Sequence, residues 1–213
     1  MIMRYDFDKD AKRQKRRKLI FKILIWVVEV FAAIFLAYFI ANVALEKATV
    51  LGNSMSTALE ADDKILINKM AYLRSGPDRY DVIVFKQTGK EHSYYNIKRV
   101  IGLPGETVEI KDGYVYINGK ILDEPMLVEP IHIAGLAEEP IVLDEDEYFV
   151  LGDNRNNSED SRFANIGNVV KSDIIGKAWI RTNEFGFISK LNMSYDSKED
   201  AETMTEDQTE ESK

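Results

Sequence analysis

The longest apolar stretch in the chain is ILIWVVEVFAAIFLAYFIANVAL, 23 residues between Lys22 and Glu46 whose only ionisable side chain is Glu29. Wound as an α-helix at about 1.5 Å per residue it spans roughly 35 Å, enough to cross a bilayer. The apolar core of a cleavable leader runs only about 7 to 15 residues, and Ala41-Asn42-Val43-Ala44 is a poor processing site. Residues 23–45 are therefore expected to form an uncleaved transmembrane helix, the alternative being a buried core helix. An ionised carboxylate is costly at that depth, so Glu29 is expected to be protonated, to face a partner helix or to reach for the headgroups.

From residue 46 onward short β-branched and aromatic runs separated by turn residues replace the helical pattern. They predict strands at Asp63 to Lys69, Asp81 to Phe85, Tyr94 to Ile101, Thr107 to Ile110, Tyr114 to Ile117, Tyr148 to Gly152 and Asp173 to Arg181. Asp112-Gly113 and Asn118-Gly119 are hairpin-closing pairs. Residues 107–147 are set apart as an excursion, irregular from Lys120 to Asp146, where acidic residues accompany Pro125, Pro130 and Pro140. Residues 195–213 hold few apolar groups and are expected to be a disordered acidic tail. The fold class expected is mainly β: a single N-terminal transmembrane helix followed by a β domain over residues 46–194.

Charge gives this arrangement a direction. The net −8 of the 213-residue chain divides into +6 over residues 1–22, −6 over residues 195–213 and −8 between them. Lys12, Arg13, Lys15, Arg16, Arg17 and Lys18 precede the apolar run, so the N-terminus is expected to stay cytoplasmic and the β domain to lie outside, in a single-pass cell-membrane protein. Trp26 and Tyr38 are candidates for the membrane interfaces. The acidic middle argues against nucleic-acid binding, which asks for a basic face. With no cysteine, disulfides, thiol catalysis and cysteine-ligated zinc are excluded.

Several common catalytic signatures are absent, among them the P-loop, H-E-x-x-H and G-x-S-x-G. The two histidines, His92 and His132, both fall in polar or proline-bounded stretches that read as solvated loops. The acidic run Asp153 to Asp160 is a poor calcium loop, because Arg155 and Ser158 stand where an oxygen ligand and a glycine are needed. Three segments remain: Leu51-Gly52-Asn53-Ser54-Met55-Ser56, Ile97 to Glu106 beginning Ile-Lys-Arg-Val-Ile-Gly, and Gly152-Asp153-Asn154-Arg155-Asn156-Asn157-Ser158-Glu159-Asp160-Ser161-Arg162.

Together with the apolar run, these segments resemble the boxes of bacterial type I signal peptidases, from the anchor to about residue 181. The resemblance implies a serine endopeptidase that removes signal peptides from exported preproteins, with Ser54 as nucleophile and Lys98 as general base. It implies no metal or organic cofactor. It selects Ser54 over the rival hydroxyls of Ser56 and Ser158. It also implies that Ser158 orients the lysine amine, and that Asp160 with Arg162 and Asp153 with Arg155 brace the loop as ion pairs. The backbone N–H groups of Gly52 and Ser54 are the candidate oxyanion donors. Val50, Met55, Leu59 and Ile97 are the candidates for lining the substrate site, beside an extended preprotein segment with small residues before the cut. Membrane lipid is the other expected partner, through apolar loops.

The chemistry stands on the residues as well. A serine hydroxyl needs a neighbouring base, and where no histidine serves, a neutral lysine can do so if burial lowers its pKa from about 10.4 toward 8. Ile97, Val100 and Ile101 supply apolar flanks, although strict alternation would equally leave Lys98 pointing into solvent.

The chain departs from the family pattern in two places. Met55-Ser56-Thr57-Ala58-Leu59 replaces Met-x-Pro-Thr-Leu, losing a proline that would restrict the backbone past the nucleophile. Tyr80 stands where the family's Gly-Asp box has its glycine. Two other functions remain open at this stage: a related Ser-Lys autoprotease of the repressor type, and a catalytically impaired anchored β domain that binds secreted proteins. The first lacks any visible helix-turn-helix; the altered first box motivates the second.

Overall fold

The computed structural model describes residues 3–86, 95–126 and 128–188, with side chains from residue 12 onward. His92, Tyr94 at the start of one expected strand, and the acidic segment 195–213 lie outside the described residues.

Helix α1 (Met3–Ala44) runs without a break through the basic segment and the apolar one. Lys, Arg and Gln are good helix formers, so the polar half propagates the helix as readily as the leucine- and alanine-bearing half. Among the described residues it is the one helix long and apolar enough to cross a membrane. Its large apolar side chains, such as Phe31 and Phe35, are exposed, as a lipid-facing helix requires and a core helix forbids.

The chain divides at Ala44 and Leu45 into two compact units. In the second, β1 (Leu45–Thr49), β2 (Lys64–Asn68), β3 (Val82–Phe85), β4 (Asn96–Gly102), β9 (Glu147–Leu151), β10 (Val169–Val170), β11 (Ile174–Arg181) and β12 (Gly186–Phe187) build one antiparallel sheet. Its order is β1-β2-β11-β3-β4-β9-β10, with β12 paired to β11. A smaller sheet, ordered β7-β6-β5-β8, contains β5 (Thr107–Lys111), β6 (Tyr114–Ile117), β7 (Lys120–Ile121) and β8 (Ile141–Val142).

The smaller sheet contains the strands expected at Thr107 to Ile110 and Tyr114 to Ile117; from Lys120 to Asp146 the described residues add only the short β7 and β8 and one 3-10 turn to an otherwise irregular stretch. Two-residue turns close both hairpins of this sheet, Lys111 pairing with Tyr114 and Ile117 with Lys120. Asp112, Gly113, Asn118 and Gly119 all take positive φ, the conformation that such turns demand and that Asp, Asn and Gly tolerate best. The returning strand β8 then pairs with β5, and the prolines of 120–146 lie between β7 and β8.

Position matters most in β3 and β4. All four residues of β3 are buried, as is every residue of β4 from Ile97 to Gly102. Both faces of these strands are covered, so alternation leaves no outward position and every polar side chain in β4 must find a partner or lose its charge.

Candidate active site

Strand β1 delivers the chain into a tight turn. Val50 donates to Asp63 O at 2.9 Å and accepts from Asp62 N at 3.0 Å; Ser56 N then donates to Asn53 O at 3.1 Å, and Leu59 N to Met55 O at 2.8 Å. Ser54 is carried on this turn, half-buried. Lys98 comes from β4, where it pairs with Ile83 of β3. The two meet: Lys98 Nζ donates to Ser54 Oγ at 2.6 Å.

Lys98 is 5% exposed, which settles its direction inward. Burial pushes its ammonium down to about 8; Asp160, Glu159 and Asp153 pull the other way, and Arg162 adds to the lowering. Against an unfolded lysine near 10.4 this costs the charged form roughly 3 kcal/mol of solvation at neutral pH. The folded protein binds fewer protons than the unfolded chain between the two values, so the contribution of Lys98 to stability improves as pH rises through that window. About one lysine in ten is neutral at pH 7, and about half at pH 8. The arrangement can therefore present a hydroxyl and an unprotonated amine in contact.

Beneath this pair lies the loop from Gly152 to Arg162. Gly152 has no room for a side chain: a methyl there would stand 2.4 Å from Ser54 O and 2.2 Å from Ser158 Oγ. The loop can press this closely against the serine turn only with glycine at that point. Asp160 accepts from Gly152 N at 3.1 Å and holds Arg162 in a two-pronged pair at 2.8 and 2.9 Å, while Arg162 also donates to Arg155 O at 2.6 Å. This ion pair forms as the sequence suggests.

The other expected pair does not form. Asp153 binds Arg99, through Nε at 2.7 Å and Nη2 at 2.6 Å, and both side chains are fully buried. Arg155 instead binds Glu124, its Nη1 donating to Oε1 at 2.7 Å. Separation along the chain does not decide this, since Asp160 and Arg162 pair across the same two residues; Asp153 and Arg155 each reach a different neighbouring element. Arg99 and Glu124 are thus site residues that sequence reasoning misses. An arginine inside a fully buried strand is itself a signal that a carboxylate must meet it; Glu124 carries no comparable mark.

Lys98 Nζ bonds Ser54, and among the described residues the buried Ser158 hydroxyl has no hydrogen-bond partner. It packs against the Gly152 backbone instead.

The expected substrate lining needs correction too. Met55 and Leu59 are 1% and 0% exposed, and with Val50 and Ile97 they belong to the core cluster shared with Ile65, Ile67, Val82 and Val84. Residues next to Ser54 and Lys98 in sequence support the pair from below. Gly52, by contrast, is exposed, with φ +82° and open space around its α-carbon.

Both departures from the family pattern fall at positive φ. Tyr80 has φ +71°, the region where glycine is at ease, and is held there by Tyr80 N donating to Val100 O at 2.8 Å and Arg99 Nη1 donating to Tyr80 O at 3.0 Å. Thr57 has φ +112°, a strained value for a β-branched residue and one proline cannot adopt. His132 is exposed and its backbone N donates to Asn156 Oδ1 at 3.0 Å.

The family model described as "Signal peptidase, peptidase S26" matches residues 23–182. A probable signal peptidase I-2 of Synechocystis is 37% identical over 153 residues, 70% of this chain and 68% of that protein. Signal peptidase I P of Bacillus subtilis subsp. natto is 37% identical over 179 residues, 80% of this chain and 91% of that one. A solved signal peptidase I from Enterococcus faecalis aligns at 34% identity over 47% of this chain and 95% of its own, with a TM-score of 0.36. The chain belongs to the signal peptidase, peptidase S26 family.

Proposed function

We propose that the protein is a membrane-anchored serine endopeptidase that removes signal peptides from exported preproteins with a Ser54–Lys98 dyad. The observation that carries this reading is the 2.6 Å contact between Lys98 Nζ and Ser54 Oγ, with the lysine buried in β4. Neutral Lys98 takes the hydroxyl proton as Ser54 Oγ attacks the scissile carbonyl. The backbone N–H groups of Gly52 and Ser54 receive the oxyanion, the C–N bond breaks, and the lysine proton leaves with the new amino terminus. Water then attacks the acyl ester, giving its proton to Lys98; the bond from Ser54 Oγ to the acyl carbon breaks, and Lys98 returns the proton to Oγ, which regenerates the serine and the neutral amine.

The basic flank keeps the N-terminus of α1 cytoplasmic and the catalytic domain outside. Exposed Trp179, Phe185 and Phe187, with ring centroids 6.4 and 5.9 Å apart along the group, support a lipid-facing role for the β11–β12 hairpin. The test is cleavage of a preprotein with an Ala-x-Ala junction by the full chain in detergent. A single cut after that junction, located by mass spectrometry, is expected; an intact preprotein would contradict the reading.

A further inference from the structure

We infer that Asn154 is a positioning residue for the nucleophile, clamping the serine turn from both sides in place of the missing proline. This inference rests on the dyad reading. Asn154 N donates to Ser54 O at 3.1 Å, and its side-chain Nδ2 donates both to Asn53 O at 3.1 Å and to Ser56 Oγ at 2.7 Å. One residue thereby grips the residue before Ser54, Ser54 itself and the second residue after it.

The grip answers a need visible in the backbone. Thr57 sits at φ +112°, a conformation that costs free energy and persists only where the surroundings hold it. A proline at this position would fix φ near −65° and stiffen the chain covalently; here the Ser56 hydroxyl supplies a handle for a hydrogen bond instead. The adjacent residue completes the geometry. Asp153 is locked to Arg99, the neighbour of Lys98, by two bonds in the buried core. Consecutive residues of one loop therefore each hold the chain neighbour of one dyad member, and the Asp153-Asn154 peptide sets the distance between serine and lysine. A cavity of about 230 Å³ lined by Ser56, Thr57, Glu129, Asp153, Asn154 and Arg155 borders the clamp. Without Asn154 the turn has room to move.

The test measures kcat, KM and thermal midpoint of the full chain in detergent, with a preprotein substrate, for Asn154→Ala, Ser56→Ala, the double variant and Ser54→Ala. Misplacement of a reacting group by about 1 Å costs on the order of 100-fold in rate, so Asn154→Ala should lose roughly 10- to 100-fold in kcat with KM within about twofold. Ser56→Ala, which removes one hydrogen bond, should lose about fivefold. The double variant should be no worse than Asn154→Ala alone, and Ser56→Thr should recover most of the Ser56→Ala loss. Wild-type kcat in Asn154→Ala, or a fall in thermal midpoint with Ser56→Ala fully active, would overturn the clamp. If Asn154→Ala does not fold, the Ser56 pair decides. An inactive Ser54→Ala beside a fully active Asn154→Ala sinks the clamp alone; a fully active Ser54→Ala sinks the dyad.

Discussion

Lys98→Arg is expected to lower kcat/KM for preprotein cleavage by about 10⁴-fold or more, as is Ser54→Ala, because members of a unit that act together each carry nearly its whole effect. Arginine keeps a positive charge and a donor at the same place in β4. It remains protonated throughout the accessible pH range and so cannot take the serine proton. Its bulk also has to fit where Lys98 is 5% exposed and Val100 and Ile101 are fully buried. Thermal unfolding measured beside the kinetics separates the two effects: a folded, inactive variant is the expected result, and appreciable cleavage by folded Lys98→Arg would remove the general base from the account.

The second large effect is on stability. Asp153→Ala deletes the carboxylate that Arg99 meets with both nitrogens while both side chains are at 0% exposure. Among the described residues the remaining acceptor of Arg99 is the Tyr80 carbonyl, at 3.0 Å. Breaking a buried pair by removing one partner costs about 3–5 kcal/mol, since the other charge is left without compensation. For a domain of this size that corresponds to a fall of roughly 10 °C in thermal midpoint. A fall of about 2 °C or less would mean that Arg99 finds another partner or reaches water. Activity should fall as well, because Arg99 adjoins Lys98 and Asp153 adjoins Asn154.

These two residues also show where sequence reasoning reaches and where it stops. Ser54 and Lys98 were singled out by the resemblance of their segments to the signal peptidase boxes; the residues alone required some base for a hydroxyl with no usable histidine, and left Lys98 equally able to point into solvent. Most long strands were legible: β-branched runs between turn residues leave few other conformations. The hairpin turns of the smaller sheet were legible as well, Asp112-Gly113 and Asn118-Gly119 both adopting positive φ. Strand β1 was not, since Leu45 closes the apolar run and reads as the end of the helix. The two-residue strands β7, β8, β10 and β12 carry no periodicity to read.

Ion-pair partners were the hardest to infer. Asp160 and Arg162 pair at a separation of two residues, yet Asp153 reaches 54 residues back and Arg155 reaches 31. Local spacing cannot decide between such choices, because the partner is selected by which elements the sheet brings together. The same holds for Met55 and Leu59: adjacency to Ser54 suggested a surface, whereas the turn folds both side chains down into the core. Thr57 and Tyr80 are a further case. Both differ from the family pattern in sequence, and both occupy positive φ, which nothing in the sequence anticipates.

The central claim is that an unprotonated lysine at position 98 is the base, and the most direct measurement is the pH dependence of kcat/KM for a preprotein whose own ionisation is silent over the range. Lys98 must lose its proton to act, so the rate should climb about tenfold per pH unit on the acid side and level off through a midpoint at about 8, where burial places the ammonium. A midpoint near 6.5, as for an ordinary histidine, or a rate flat across that range would contradict the account.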